Sequence, residues 1–412
     1  MHHLRIALLS MHSCPWSRPG GRYTGGMNVY IQNLSREMGK LGIATDIFTC
    51  SHQGDEPCGL SGPSSNVRLI HIGACGSASE AGHAEYAGSL AQAVDSYRRE
   101  MGLRYDLIHS HYWLSGLAGN RLKELWQVPH ISMFHTLGAL KNGSPLGTVE
   151  PASRISHERL IINSCDRVIA STPVEKSEMV NRYGAPADKI SVIPCGVDLS
   201  LFRPLNRQAA RAACGLPEKK TLLFVGRPDP IKGLENLLQA ASMPGKEGDF
   251  QLLVIGCDNR YMGGWWQGSS RHGPDDIRER VIFAGPVEHE KMYLYYNAAD
   301  LCVIPSYYES FCLTALESVA CGTPVLATPV GEIPEISRLS NLCKTIPDNS
   351  PISLARHIGI FLKGNGQDID RSWSTLSNHY GWDSIARRIT REYEDICRTP
   401  VTAAKAATQI IY

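Results

Sequence analysis

The feature that most constrains the fold is a repeated alternation of short apolar runs with amphipathic stretches along the chain. Runs such as residues 5–9 and 301–304 are continuously apolar, which is typical of strands buried on both faces of a parallel sheet. Stretches such as residues 28–40 carry apolar residues at helical spacing and predict helices that cover those faces. The pattern therefore predicts an α/β fold with doubly wound parallel sheets.

The predicted strands fall into two series separated by a turn-rich stretch. Residues 194–204 contain Pro, Gly and Asp, which favour turns, so we place the domain boundary there. The prediction is two Rossmann-like domains facing a cleft, at residues 1–200 and 205–381, because open sheets of this kind bind ligands beyond their carboxyl ends. The strand predictions are 5–9, 44–48, 67–72, 107–109, 130–134, 167–170 and 190–193 in the first series, and 221–225, 251–255, 281–283, 301–304 and 324–327 in the second.

Charge and composition narrow the range of partners. The 412 residues include 41 Lys plus Arg and 40 Asp plus Glu, for a net charge of +1. This balance gives no long-range field that would attract nucleic acid or an anionic membrane, so phosphate binding has to be local. No stretch reaches the roughly 18 apolar residues of a membrane span, and the first apolar run is shorter than that of a signal peptide. Thirteen scattered cysteines fit a reducing compartment, so we predict a cytoplasmic protein.

The sharpest local signal is residues 305–317, which follow a predicted strand and open a predicted helix. Ser310 is the expected N-cap, so that a helix start at Phe311 would direct free N–H groups at a diphosphate. Glu309 would lie in the loop, and Glu317 two turns into the helix. Carboxylates accept hydrogen bonds from the hydroxyls of a sugar or a ribose. The residues alone leave open that Glu309 caps the helix and Glu317 lies on the surface.

A second signal is a pair of cations, Arg227 and Lys232, in the loop after strand 221–225. Together they would neutralise a diphosphate leaving group, where negative charge develops. A third signal is the glycine-rich stretch 20–26, whose Gly25 and Gly26 allow close approach of the backbone to a ligand. This stretch lacks the Gly-x-Gly-x-x-Gly spacing of a dinucleotide site. Solvated loop cations and a flexible surface turn are the alternatives.

Histidines form the fourth signal, because they stand at two strand ends. His109 and His111 share one side of an extended strand, but no third residue with suitable spacing accompanies them, so we predict no metal site. His135, beside Thr136, is the better candidate for contacting sugar hydroxyls.

These four segments, in this order, resemble family 4 of the retaining nucleotide-sugar glycosyltransferases, which have the GT-B architecture. Residues 309–317 resemble the E-x7-E motif, and Gly226-Arg227 with Lys232-Gly233 resembles the donor-phosphate loop. Within the family, residues 25–30, 109–116 and 135–137 resemble glycosyltransferases of D-inositol 3-phosphate and sucrose-phosphate synthases.

The resemblance implies a role for each matching residue. Glu317 would hold the ribose, Glu309 the sugar, and His135 would face that sugar. Residues implied in catalysis are His135, Arg227, Lys232 and Glu309. Residues implied in donor binding are Gly25, Gly26, Arg227, Lys232, Glu309, Ser310, Phe311, Cys312, Leu313 and Glu317. The terminal segment 382–412 would cross back to the first domain.

The acceptor side of the resemblance is incomplete. Tyr112, Thr136 and Arg154 match three of the residues that hold the acceptor phosphate in the inositol-phosphate enzymes. Their lysine has no counterpart, because residues 73–86 contain no lysine. Cys312 stands where those enzymes usually have Gly, and its side chain would alter the fit of the donor.

The expected activity is transfer of a hexosyl unit, glucose or N-acetylglucosamine, from a UDP-sugar to a small phosphorylated polyol or sugar. The expected partners are the UDP-sugar and a small polar acceptor, with neither nucleic acid nor an integral membrane; a homodimer is left open. No cofactor is required in this scheme, and stimulation by Mg²⁺ is also left open. The alternatives are a UDP-sugar epimerase or hydrolase, an NAD-dependent oxidoreductase, and a non-catalytic nucleotide-sugar binding protein.

Overall fold

The computed structural model describes residues 4–17, 25–51, 60–61, 65–74, 82–146, 149–243, 250–257, 279–363 and 373–398. Its first sheet has eight strands in the order β3-β4-β2-β1-β5-β6-β7-β8, parallel throughout except for the pairing of β3 with β4. The strands are β1 (Arg5–Ser10), β2 (Ala44–Ser51), β3 (Leu60–Ser61), β4 (Val67–Ala74), β5 (Leu107–His111), β6 (His130–Met133), β7 (Arg167–Ala170) and β8 (Ile190–Val192).

Helices cover both faces of this sheet, because the side chains on each face of its central strand are apolar. Ile6 and Leu8 of β1 belong to one buried cluster, and Ala7 and Leu9 belong to another. The helices are α1 (Gly26–Lys40), α2 (His83–Glu100), α3 (Trp113–Trp126), α4 (Gly138–Asn142), α5 (Ala152–Ser164) and α6 (Pro173–Tyr183).

The second sheet has six parallel strands in the order β11-β10-β9-β12-β13-β14. They are β9 (Lys220–Val225), β10 (Phe250–Ile255), β11 (Val281–Gly285), β12 (Leu301–Ile304), β13 (Val325–Ala327) and β14 (Cys343–Thr345). The accompanying helices are α7 (Arg207–Ala213), α8 (Leu234–Ser242), α9 (Met292–Ala298), α10 (Leu313–Ala320), α11 (Ile333–Leu339) and α12 (Pro351–Lys363).

The predicted class, two doubly wound parallel sheets with helices, is confirmed. Every predicted strand is present, with ends that shift by up to three residues. The strands β3 and β14 were not predicted. Both lie at sheet edges and are short, and only Cys343 of β14 is buried, so neither carries a continuous apolar run.

The last two described helices, α13 (Trp373–Tyr380) and α14 (Trp382–Arg398), follow the second sheet, and α14 lies against α1. Ile385, Ile389 and Tyr393 recur every four residues on α14 and are fully buried. Arg388 donates to the Val192 carbonyl at the end of β8 over 2.9 Å. The terminal helix therefore packs on the first domain.

The cysteines in the described part of the chain are free thiols, and most are buried. Burial raises the pKa of Cys302, in β12, to about 12, so this thiol stays protonated and acts as a small core residue. Among the described residues, no helix is both long enough and apolar enough to cross a membrane.

Candidate active site

The predicted site residues gather at the carboxyl ends of parallel strands in both sheets. Tyr112 follows β5 directly, and His135 follows β6 after one intervening residue. In the second domain, Lys232 lies between β9 and α8, and Glu309 lies between β12 and α10. Because the carboxyl ends of parallel strands share one edge of a sheet, these loops form the crevice that such folds use for ligands.

Left-handed backbone conformations concentrate in these loops. Among the described residues, four that are not glycine have a positive φ: Tyr112 at 73°, His135 at 60°, Cys312 at 86° and Gln127 at 55°. Gln127 is the C-cap of α3, whereas the other three are predicted site residues. Side chains in this conformation cost about 1–2 kcal/mol each, and such strain is characteristic of functional sites.

The two domains touch at residues 309–317. A Cβ placed on Gly26, at the start of α1, would lie 3.4 Å from Cδ1 of Leu313. Ser171, after β7, donates its hydroxyl to the Ser310 carbonyl over 3.3 Å. The structure thus places Gly26 next to residues 309–317.

Lys232 and Glu309 contact one another directly. The ammonium nitrogen lies 2.8 and 2.7 Å from the two carboxylate oxygens, and the Ser306 hydroxyl donates to Glu309 Oε1 over 2.8 Å. Arg227 is exposed on the same loop as Lys232. Two cations, Arg227 and Lys232, and one carboxylate, Glu309, therefore lie at the carboxyl end of the second sheet.

Glu317 is buried, with 6% of its surface exposed. His289 Nε2 lies 2.6 Å from Glu317 Oε1, and the Tyr296 hydroxyl donates to Oε2 over 2.8 Å. Neither partner was predicted from the sequence. Their only signal in the sequence was position: a histidine shortly after strand 281–283, and a tyrosine in the helix that follows.

The prediction of Ser310 as an N-cap is wrong. The helix α10 begins at Leu313 rather than Phe311, and its N-cap is Cys312, which makes no side-chain capping bond. Ser310 Oγ instead lies 3.2 Å from the Tyr308 hydroxyl. The physical reason is tertiary, since the Phe311 carbonyl accepts a 2.8 Å hydrogen bond from Glu332 N.

One consequence concerns the position of Glu317. It is the fifth residue of the helix, little more than one turn from the start, and not two turns in as predicted. Cys312 is buried beside Glu309, and burial raises the pKa of its thiol. The Cys312 side chain is therefore part of the packed loop.

Three histidines, His109, His111 and His135, lie close together at the carboxyl ends of β5 and β6, and the first two are fully buried. His111 Nδ1 lies 2.8 Å from His135 Nε2, and His109 Nδ1 lies 2.7 Å from the Tyr393 hydroxyl of α14. Burial lowers the pKa of His109 and of His135 to about 3, so both imidazoles are neutral near pH 7. Among the described residues, no group of three or more His, Cys, Asp or Glu is arranged to hold a metal ion.

The three predicted acceptor residues lie together. Arg154 donates through Nη2 to the Thr136 carbonyl and hydroxyl over 3.0 and 3.1 Å, and its guanidinium carbon is 4.9 Å from the Tyr112 ring centroid. Arg154 also pairs with Glu158 through Nε and with Glu150 through Nη1, each over 2.8 Å. This buried cation is therefore held between two carboxylates, a feature that the i, i+4 spacing of the three residues could have revealed.

A two-domain α/β protein with carboxylates and cations at facing strand ends has the arrangement of a glycosyltransferase that uses a nucleotide-sugar donor. Residues 24–201 match the family described as Glycosyltransferase Family 4, and residues 219–363 match the one described as Glycosyl transferases group 1. The D-inositol 3-phosphate glycosyltransferase 2 of Catenulispora acidiphila is 40% identical over 349 residues, which is 79% of each chain.

Two further comparisons cover nearly the whole chain. The D-inositol 3-phosphate glycosyltransferase of Acidothermus cellulolyticus is 33% identical and covers 97% of this chain and 92% of its own. The solved sucrose-phosphate synthase of Thermosynechococcus elongatus superimposes with a TM-score of 0.82 at 30% identity, over 95% of this chain and 98% of that one. The protein belongs to glycosyltransferase family 4, has the GT-B architecture, and is an enzyme that transfers glycosyl groups.

Proposed function

We propose that the enzyme transfers a hexosyl unit, glucose or N-acetylglucosamine, from a UDP-sugar to a small phosphorylated polyol or sugar with retention of configuration. The observation that carries this proposal is the ion pair of Lys232 with Glu309 at the carboxyl end of the second sheet, where Glu309 begins the segment 309–317 that also carries the buried Glu317. Gly26 touches the same segment from the first domain. The relatives named for D-inositol 3-phosphate and sucrose phosphate support the acceptor class.

We propose that the cations bind the diphosphate of the donor and that the carboxylates bind the hydroxyls of its ribose and sugar. Arg227, Lys232 and the first turn of α10 hold the diphosphate. Glu317 accepts from the ribose, and Glu309 accepts from the sugar. Lys232 already contacts Glu309, so it can bridge the sugar-binding carboxylate and a phosphate oxygen without a large movement.

The proposed chemistry follows from these positions. The acceptor hydroxyl attacks the anomeric carbon on the face from which UDP departs. The new C–O bond forms as the bond to the phosphate oxygen breaks, and that oxygen takes the hydroxyl proton. Lys232 and Arg227 stabilise the departing UDP, an effect worth roughly 10²–10³ in rate for one preorganised group. Neutral His135 serves as a hydrogen-bonding partner of the sugar, and no protein nucleophile is involved.

Tyr112, Thr136 and Arg154 form the proposed acceptor site. Arg154 has four polar contacts, two of them to carboxylates, which leave at most one of its five N–H donors for a phosphate unless Glu150 or Thr136 is displaced. We propose that no metal is required, because the two loop cations neutralise the diphosphate. Turnover that survives dialysis against a chelator is the expected result, and Mg²⁺ added back measures any stimulation.

The deciding experiment is a screen of the purified chain. UDP-glucose, UDP-N-acetylglucosamine and GDP-glucose are offered with inositol 3-phosphate, fructose 6-phosphate and the unphosphorylated acceptors, and the anomer formed is read by NMR. We expect a product with one UDP-sugar and a phosphorylated acceptor, with the donor configuration kept. Inversion, or conversion of the UDP-sugar at equal rates without acceptor, would contradict the proposal; the latter indicates an epimerase or hydrolase.

Two variants test the residues. Lys232→Ala and Glu309→Ala should each lower turnover about 100-fold or more while the fold stays intact by circular dichroism. Arg338→Ala is the matched control, because it removes an exposed cation of the same domain that pairs with Glu335. Near wild-type rates in both site variants would show that this loop does not hold the donor.

A further inference from the structure

Two donors hold the buried carboxylate of Glu317, one on each oxygen. His289 Nε2 lies 2.6 Å from Oε1, and the Tyr296 hydroxyl donates to Oε2 over 2.8 Å. Tyr296 is a fully buried residue of α9, whereas His289 opens the short turn after β11 and keeps about a quarter of its side chain exposed. The histidine is thus the member of the pair at the solvent-facing side.

We propose that His289 is a positioning residue for the donor: it fixes the Glu317 carboxylate for the ribose hydroxyls and makes the affinity for UDP depend on pH. This inference rests on the proposed function, since it takes Glu317 as the ribose-binding carboxylate. His289 acts through Glu317 and is not assigned a contact with the nucleotide.

The geometry explains why a second donor matters. A carboxylate has about four lone-pair sites, so two remain for vicinal hydroxyls after His289 and Tyr296 have donated. With Tyr296 alone, only one oxygen is held and the carboxylate can rotate. Ordering such a group on binding costs free energy, so fixing it beforehand tightens the complex.

The charged groups around His289 determine whether the affinity for UDP rises or falls with pH. Burial lowers its pKa, but the acidic groups that face it outweigh this effect and raise the pKa above the ordinary value. Those groups are Glu317 of α10, Glu290 of the same turn, and Asp198, which also pairs with Arg36. An imidazolium next to Glu317 adds positive charge near an anionic nucleotide. The contribution of His289 to UDP binding therefore grows as pH falls through its pKa.

Calorimetric titration of the full chain with UDP at pH 6 and pH 8.5 tests the proposal. His289→Phe keeps a ring against Phe202, whose centroid is 5.1 Å from that of the imidazole, but removes the donor. We expect UDP to bind this variant about 10-fold more weakly at pH 6, with a smaller loss at pH 8.5. His289→Gln keeps a neutral donor. This variant should therefore bind UDP as tightly as the wild type at pH 8.5 and more weakly than the wild type at pH 6. The titration of UDP itself cancels in each variant-to-wild-type ratio.

The control and a modified nucleotide separate positioning from general damage. Lys291→Ala alters the same turn at an exposed residue and should bind UDP like the wild type at both pH values. At pH 8.5, His289→Phe and the wild type should bind 2′,3′-dideoxy-UDP with the same affinity, because no ribose hydroxyl remains for Glu317. An equal loss with UDP and the dideoxy nucleotide, or unchanged affinity at pH 6, would overturn the inference.

The wild-type titrations keep this test distinct from that of the proposed function. A wild type that binds the dideoxy nucleotide measurably but more weakly than UDP supports the ribose assignment whatever His289 does. A wild type that binds both equally contradicts that assignment, and the inference about His289 fails with it.

Discussion

Lys232 and Glu309 pair with one another, although both are proposed to hold the donor. Their ion pair is partly buried, with 24% of the lysine side chain and 13% of the glutamate side chain exposed. A diphosphate next to Lys232 brings a second negative charge close to Glu309. The lysine then serves two anions, so the energetic effect of removing it depends on whether the carboxylate is still present.

This dependence predicts a non-additive double-mutant cycle. Lys232→Ala should weaken UDP binding about 10–100-fold, because it removes a phosphate contact and leaves Glu309 unpaired beside the diphosphate. The double variant, with Glu309→Ala added, should recover part of that loss because the repulsion disappears. Calorimetric titration with UDP measures all four corners of the cycle. Losses that simply add would show that the two side chains do not share the diphosphate.

The residue scale also shows what sequence patterns can identify. Glu309, Glu317 and Lys232 could be selected as candidates from the sequence because residue type, spacing and the preceding strand coincide. His289 was not, since it meets Glu317 only through the packing of α10 against the neighbouring turn and α9. Glu150 and Glu158 were visible at i, i+4 from Arg154, but their effect on its charge needed the side-chain geometry.

At the scale of elements, the loop from β12 to α10 is shaped by its neighbour rather than by its own sequence. Serine is a favourable N-cap, and this preference led to the incorrect prediction at Ser310. The loop after β13 overrides it, because Glu332 N binds the Phe311 carbonyl and Gly331 lies directly beneath that group. The strands were predictable for the opposite reason: their continuous apolar runs are a local property that burial on both faces requires.

Gly331 should therefore be indispensable to the conformation of the loop from β12 to α10. It has φ +58°, and a Cβ there would come within 2.5 Å of the Phe311 carbonyl oxygen and 3.2 Å of Glu309 Cβ. Gly331→Ala should push the loop away, lowering stability by about 2 kcal/mol or more and weakening UDP binding at least 10-fold. Thermal unfolding and titration with UDP measure the two effects.

The control for that substitution is Gly184→Ala. Gly184 has a similar φ of +70°, at the end of α6, but a Cβ there would meet nothing within 4 Å. Gly184→Ala should lower the free energy of unfolding by about 1 kcal/mol through backbone strain alone, and its affinity for UDP should be unchanged. Equal behaviour of the two variants would mean that strain, and not the contact with the loop, determines the outcome.

At the scale of the whole molecule, the two domains are joined by a shared core and a crossing segment. One buried cluster includes Leu8 of the first sheet and Leu223 of the second. Where the chain passes from the first domain, Val197 N donates to the Tyr380 carbonyl over 2.8 Å, and the Tyr380 hydroxyl donates to Glu332 over 2.9 Å. These contacts join residues far apart in the chain, so no local pattern in the sequence could have predicted them.

Glu332 makes this junction sensitive to pH. Burial raises the pKa of its carboxyl group to about 7, although the hydrogen bond from Tyr380 opposes the shift. The folded state then binds more protons than the unfolded state, whose carboxyl titrates near 4.5, so this stabilisation is present below pH 4.5 and disappears as pH rises through 7. The full effect is about 3 kcal/mol.

Glu332→Gln should remove this pH dependence, because the amide is neutral at every pH and its oxygen still accepts from Tyr380. Relative to the wild type, the variant should gain about 2 kcal/mol of stability between pH 5 and pH 8, seen as a growing difference in Tm. Glu335→Gln is the matched control, because a hydrogen bond from Arg338 lowers the pKa of that carboxyl. Glu335 is then ionised in both the folded and the unfolded state above pH 5, so its removal should leave a Tm difference that is nearly constant from pH 5 to pH 8. If the Tm difference between Glu332→Gln and the wild type stays constant from pH 5 to pH 8, Glu332 is ionised throughout this range. The junction would then have to hold a buried carboxylate against Tyr380 in the folded enzyme.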